Sequence, residues 1–146
     1  MQRYCVLRLA CMVQEFSQRT CTMNVLVIKA GFTPQRMCIQ RGLESLQDIV
    51  GGYIEAIYPF EEHVGLVVNA DGKLEGLEPN RALYDDQGEV YDIIAGDFCI
   101  VGLGGEDFTS LSTELMEIFE DRFYSPELFL RMNDKFIALP YLERRK

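Results

Sequence analysis

The chain has 146 residues, of which 48% are apolar, and its formal net charge at pH 7 is −9. This is enough apolar material to bury one sizeable core, so we expect a single domain. Twenty acidic residues lie between Glu44 and Glu127 against Lys73, Arg81 and Arg122, a net −17 over 84 positions. Such a segment repels a phosphate backbone, which argues against direct binding to nucleic acid.

The N-terminal segment is interpreted as an addition to the domain. Tyr4–Val13 is an apolar run that is too short to span a membrane and lacks a convincing signal-peptide cleavage site. A clean strand pattern begins at Met23, which indicates a disordered extension or a mis-annotated start with Met23 as the true first residue. We expect a cytoplasmic protein that does not bind membranes. The predicted parts are an N-terminal extension over residues 1–22, one α+β domain over residues 23–135 and a C-terminal tail over residues 136–146.

Short strands dominate the first half of the predicted domain. Val25–Ile28 is a continuous run of branched aliphatic residues, typical of a strand buried on both faces. Apolar residues at helical spacing over Leu43–Val50, followed by Gly51, predict one short amphipathic helix. The other strands predicted here are Arg36–Ile39, Tyr53–Tyr58, Val64–Asn69 and Lys73–Leu77, the last entered through an Asp71-Gly72 turn.

The second half is predicted to end in helices. Val90–Ala95 and Phe98–Leu103 are strands, and a helix begins near Ser112 with Leu115, Ile118, Phe119 and Phe123 on one face. Ser125-Pro126 predicts a second helix start, whose Leu128, Phe129 and Met132 pack back onto the sheet. The pattern predicts an α+β fold with a mostly antiparallel, mixed sheet of five to seven strands. One short helix follows the first hairpin, and one or two C-terminal helices complete the fold, with the helices covering one sheet face.

The residues for cofactor or metal chemistry are sparse. The five cysteines form no CxxC pair and His63 is the only histidine, so we expect neither a disulfide framework nor a metal site. The glycine-rich segment Gly102–Gly105 follows a strand, where such a loop can hold phosphate. Glu106 and Asp107 place negative charge there and no Lys follows, so a turn is the better interpretation. We expect no cofactor and no catalytic residues.

Asn80 and Arg81 form the most interesting site candidate, because Arg81 is the single arginine between Arg41 and Arg122. An arginine among acids either binds an anionic ligand in a bidentate manner or forms a structural bridge. The bridge partners to consider are Asp85, Asp86 and Asp92. For a small anionic ligand, the predicted site residues are Asn80, Arg81, Tyr53, Glu55 and Tyr91.

Four segments of the chain resemble a known family. They are Gly51–Phe60 (GGYIEAIYPF), Asn80–Leu83 (NRAL), Tyr91–Gly96 (YDIIAG) and Asp107–Ser112 (DFTSLS). In this order they look like the DUF3846 family of small proteins, over roughly Met23–Met132. The resemblance implies a bacteriophage or conjugative-element context. It implies no reaction, because the family has no assigned function.

Three classes of function are therefore open. The first, which we favour, is a non-enzymatic acidic interaction protein of a bacteriophage or mobile element. It would engage a basic host protein, for example to inhibit defence, and imitation of nucleic acid is its extreme form. The second is a protein that binds or sequesters a nucleotide-like small anion. The third is an enzyme, which would need a concave pocket holding a carboxylate of raised pKa.

Overall fold

The structure of the protein is a computed structural model that describes residues 22–142. Apart from Thr22, the predicted N-terminal extension lies outside these residues. The hypothesis of a start at Met23 concerns that extension and therefore also falls outside the described part of the chain. The last four residues of the predicted tail also lie outside them. Within residues 22–142, two helices and ten strands make up the regular structure.

The strands form three sheets. They are β1 (Thr22–Ile28), β2 (Gln35–Gln40), β3 (Ile54–Ile57), β4 (Val64–Asn69), β5 (Pro79–Tyr84), β6 (Val90–Ala95), β7 (Phe98–Gly104), β8 (Asp107–Thr109), β9 (Glu127–Met132) and β10 (Lys135–Pro140). The main sheet has the order β2-β1-β7-β4-β3, with β8 paired to the end of β7. The pairs β5–β6 and β9–β10 are separate hairpins. All pairings are antiparallel.

Helix α1 spans Leu43–Val50 and helix α2 spans Thr113–Arg122, close to the predicted positions. Gly51 ends α1 in the left-handed conformation with φ 78°, and its N–H donates to Gln47 O at 2.8 Å. Ser112 begins α2, since its hydroxyl accepts a hydrogen bond from Leu115 N at 3.2 Å. Neither helix is long and apolar enough to cross a membrane, among the residues described.

The main sheet carries a hydrophobic core on each face, because successive side chains of a strand point to opposite sides. The core under α2 and the β5–β6 hairpin contains Leu26, Ile28, Val64, Leu66, Val68, Leu83, Ile94, Phe98, Ile100, Leu111, Met116, Phe119 and Phe123. The core under α1 contains Met23, Val25, Val27, Leu46, Val50, Val67, Cys99 and Val101. The helices therefore cover opposite faces, and the prediction that they share one face is wrong. A continuous apolar run such as Val25–Ile28 needs a cover on both sides.

The predicted strand Lys73–Leu77 is wrong. The chain makes consecutive turns there, with hydrogen bonds from Glu75 N to Asp71 O at 2.8 Å and from Leu77 N to Gly72 O at 2.9 Å. The side chain of Asn69 also accepts a bond from Asp71 N, so local polar groups replace a sheet ladder. The strand of this region is β5, which begins after these turns and carries Asn80 and Arg81.

The predicted second C-terminal helix is also wrong, because the segment after Pro126 forms the β9–β10 hairpin. Asn133 and Asp134 make its turn with φ values of 50° and 65°, the left-handed conformation that a tight hairpin turn requires. Leu128 and Met132 are exposed and do not pack onto the main sheet. The hairpin extends beyond residue 135, so strand β10 occupies part of the predicted tail. The main sheet has six strands, but the ten strands of residues 22–142 exceed the predicted five to seven because two separate hairpins are added.

Candidate functional site

Asn80 and Arg81, predicted as ligand residues, lie inside the protein. Both are on β5 and only 1% exposed. Asn80 Nδ2 donates hydrogen bonds to the carbonyl oxygens of Ile28 and Gly96, each at 2.9 Å. The amide thereby connects β5 to the end of β1 and to the turn that follows β6.

The guanidinium of Arg81 is enclosed by oxygen atoms of the protein. Nε and Nη2 donate to Phe123 O at 3.1 and 2.9 Å, and Nη2 also donates to Phe32 O at 2.7 Å. Nη1 donates to O and Oδ1 of Asn80 at 3.2 and 2.8 Å. A guanidinium has five N–H groups, and these five bonds engage all of them. Arg81 thus has no N–H left for a ligand in this conformation.

The carboxylates considered as bridge partners are engaged elsewhere or lie apart from Arg81. Asp92 forms an ion pair with Lys73, and Asp85 accepts hydrogen bonds within its own turn. None of the ion pairs found within residues 22–142 includes Arg81. Its role is structural, but its acceptors are the carbonyls that end helix α2 and line the β1–β2 loop. Phe123 O lies at the C-terminal, negative end of the α2 dipole, which suits a cation.

Burial governs the protonation of the groups around Arg81. It lowers the pKa of Arg81 and raises the pKa of Glu127, whose Oε1 accepts a hydrogen bond from Ala82 N at 2.8 Å. Burial also raises the pKa of Tyr84, and the charge of Glu127 acts in the same direction. Glu127 is the first residue of β9, so this polar group joins the C-terminal hairpin to β5.

The other predicted ligand residues do not converge on Arg81. Tyr53, Glu55 and Tyr91 line three different depressions, of about 520, 340 and 390 Å³ respectively. Asn80 and Arg81 line none of the three. The five residues therefore do not form one site in this structure.

The depression at Tyr91, called the Tyr91 groove below, lies between the β5–β6 hairpin and β10. Leu77 and Phe136 also line it, and so do Lys73 and Asp92, which form an ion pair. The groove combines two exposed aromatic rings with one cation. It is the described depression whose lining best suits a small planar ligand with an anionic group.

The glycine-rich segment is a hairpin turn. Gly102 and Gly104 lie on β7 opposite Thr109 and Asp107 of β8, and Gly105 turns the chain with φ 62°. Helix α2 begins only at Thr113, so no helix N-terminus follows the glycines directly. Within residues 22–142, no cluster of His, Cys, Asp or Glu side chains is arranged to hold a metal ion.

The outward side of α2 presents acidic groups around an apolar residue, and we call it the acidic helix face. Glu114 and Glu117 are exposed, and Ile118 on the same side of the helix is 42% exposed. Residues three and four apart are neighbours on a helix, which places Glu114 beside both of the others. The expectation that Ile118 shares the buried face with Phe119 is wrong. Their adjacency in sequence, about 100° apart around the axis, could have indicated this.

The cations near this face are already engaged. Arg36 of β2 holds Glu120 through two hydrogen bonds of 2.8 and 2.6 Å. Arg122 pairs with Glu62 at 2.9 Å, lowers the pKa of that carboxyl, and stacks over the ring of Phe60. Ion pairs within residues 22–142 do not use Glu114 or Glu117. The face therefore has a negative potential.

A family model described as "Domain of unknown function (DUF3846)" matches residues 23–124. No curated protein and no solved structure matches the chain. The matched span runs from β1 through α2, so it includes the main sheet and the acidic helix face, whereas the β9–β10 hairpin follows it. It also includes the Arg81 cluster, which is Arg81 with its hydrogen-bond partners Asn80, Phe32 and Phe123. Since the match covers well over half of the 146 residues, the chain belongs to the DUF3846 family.

Proposed function

We propose that this protein is a non-enzymatic interaction protein that binds a basic protein partner through the acidic helix face. The observation that carries the proposal is the 42% exposure of Ile118 on the same outward side of α2 as the carboxylates of Glu114 and Glu117. Interfaces commonly centre on an apolar contact with a charged rim, and the rim determines which partners approach.

The charge of the segment that contains α2 supports the same role. Residues 23–126 carry 19 acidic and six basic residues, a net −13, so a basic partner is attracted from a distance. The basic side chains near α2 are held by Glu62 and Glu120, which leaves Glu114 and Glu117 to meet the partner. The resemblance to phage and conjugative-element proteins favours a host factor as partner, with modulation of host defence as one such role.

A double substitution, Glu114→Gln with Glu117→Gln, is expected to weaken partner binding at least about tenfold, because it removes two exposed negative charges from the contact. The tagged full chain is used to capture proteins from host lysate at low and high salt. The captured basic protein is then purified, and its affinity is measured by calorimetry.

The matched control is Glu75→Gln with Asp86→Asn, which removes equal charge from exposed positions away from α2. The proposal requires the control to keep its affinity within about twofold, while Ile118→Ser loses at least about tenfold. A partner bound equally by both double variants would mean that net charge alone attracts it, and would contradict a site on α2.

A second candidate function is the binding of a nucleotide-like small anion in the Tyr91 groove. Its lining supports this, since Tyr91 and Phe136 can stack on a planar ring and Lys73 can pair with an anionic group. With adenosine monophosphate as the probe, we expect a rise in melting temperature of a few degrees at millimolar ligand. Lys73→Ala and Tyr91→Ala should each abolish the rise, whereas Tyr53→Ala should not. Equal shifts in all four proteins would exclude this groove as the site.

A further inference from the structure

The β9–β10 hairpin exposes an apolar side that no described residue covers. Strand register places Leu128 opposite Leu139, Leu130 opposite Ile137, and Met132 opposite Lys135. Because side chains alternate along a strand, these residues share one side of the hairpin. The hairpin face, as we call it, consists of Leu128, Leu130, Met132, Ile137 and Leu139, whose exposed fractions range from 38% to 58%.

The opposite side of the hairpin is the one that contacts the protein. Phe129 and Ala138 are half-buried there, and β9 contacts β5 while β10 contacts β6. Glu127, on the same side as Phe129, accepts the hydrogen bond of Ala82 N at the base of the hairpin. The hairpin is held on one side, with the hairpin face directed away from the core.

The hairpin face is as large as the largest apolar patch of an ordinary soluble monomer. A fully exposed Leu, Ile or Met presents roughly 200 Å², so the five residues together expose on the order of 450–500 Å². The largest apolar patch of an ordinary soluble monomer is about 300–600 Å², and such patches are often functional. Tyr141 and Leu142, which follow the hairpin, are 49% and 45% exposed and add to the apolar surface nearby.

We propose that the hairpin face is the interface of a homodimer, in which a second copy of the chain covers it. Two such faces bury about 1,000 Å² before the neighbouring residues are counted, which reaches the lower limit for a specific interface. Lys135, the charged residue that the register places on this side, lies next to the turn and pairs with Glu89, so the five apolar residues can pack against themselves about a two-fold axis with that charge at the rim.

Charge distribution also favours this surface for self-association. Two copies that each carry −9 repel one another, and the repulsion is strongest between their acidic parts. Residues 127–142 contain Glu127 and Asp134 against Arg131 and Lys135, so this segment is neutral, whereas residues 23–126 carry −13. The hairpin is thus where two copies meet with least repulsion. This inference does not depend on the proposed function, although a dimer would display two acidic helix faces.

Sedimentation equilibrium of the full chain tests the proposal. We expect a monomer–dimer equilibrium with a Kd in the micromolar range, as suits an interface of this size. Leu130→Asp should raise the Kd at least about 100-fold, because a charge would be buried without a partner. The control is Leu74→Asp, the same change at an 88% exposed leucine outside the hairpin, and its Kd should match that of the wild type.

Circular dichroism and thermal melting establish that each variant is folded, and Leu139→Ser provides a milder second disruption. Hydrogen exchange gives an independent measurement, since amides of residues 128–139 should become more protected as protein concentration rises. Three outcomes would overturn the proposal. They are a wild type that stays monomeric at 200 µM, a folded Leu130→Asp that dimerises normally, and a monomer whose hairpin is covered in cis by residues outside 22–142.

Discussion

Arg81→Ala is expected to lower the free energy of unfolding by about 3–5 kcal/mol, the largest effect of any substitution considered for this protein. Truncation removes five hydrogen bonds and leaves the carbonyl oxygen of Phe123 buried, and that of Phe32 partly buried, without their donor. A buried acceptor without a partner costs about 1–3 kcal/mol, and the end of α2 would lose its cation as well. Urea unfolding followed by circular dichroism measures the difference.

Two further variants distinguish the loss of the buried hydrogen bonds from the loss of a positive charge. Arg81→Lys keeps the charge but not the planar fork that reaches three residues at once, so it should still lose about 2 kcal/mol. Arg131→Ala removes an exposed arginine from β9 and should change stability by less than about 0.5 kcal/mol. If Arg81→Ala unfolds within about 1 kcal/mol of the wild type, the Arg81 cluster does not stabilise the fold as described.

Gly102→Ala is expected to destabilise the protein by about 2–3 kcal/mol. A Cβ at position 102 would lie 2.4 Å from the main-chain oxygen of Ser110, so the backbone between β8 and α2 must move. That backbone is fixed, because Leu111 N donates to Asn24 O at 2.8 Å. Thermal and urea unfolding of the variant measure the loss.

Gly104→Ala on the same strand is the matched control. There the new Cβ meets Thr109 Cγ2 at 3.1 Å, which rotation about χ1 can move, and Thr109 Cβ at 3.2 Å, which needs a shift of only a few tenths of an ångström. We expect a change below about 1 kcal/mol, since Ala otherwise lowers the entropy of the unfolded chain. Equal losses for Gly102→Ala and Gly104→Ala would point to a general intolerance of side chains in β7 rather than to the contact with Ser110.

The local elements with strong apolar patterns were predictable from the chain. Val25–Ile28, Val64–Asn69 and Phe98–Leu103 are strands of the main sheet as expected, because continuous branched runs suit burial on both faces. Gly51 and Ser112 marked a helix end and a helix start through local hydrogen bonding alone. Family membership was recognisable as well, since it depends only on residue order.

The structure of the C-terminal segment and the position of the site residues could not be predicted, because both depend on contacts between distant parts of the chain. The spacing of Leu128, Phe129 and Met132 suits a helix or a strand, and contacts with β5 and β6 favour the hairpin. Residue type alone groups Tyr53, Glu55 and Tyr91 into one predicted site. The fold places them in three different depressions, which residue type cannot indicate.

The sequence is sufficient to predict five of the six strands of the main sheet, all but β8, together with the two helices, the family and the acidic charge. The tertiary structure alone decided that Arg81 is internal, because its acceptors Phe32 and Phe123 lie 49 and 42 residues away along the chain. It also decided which apolar residues stay exposed, Ile118 and the hairpin face among them. Hydrophobic pattern and capping act over a few residues, whereas burial depends on which distant elements meet.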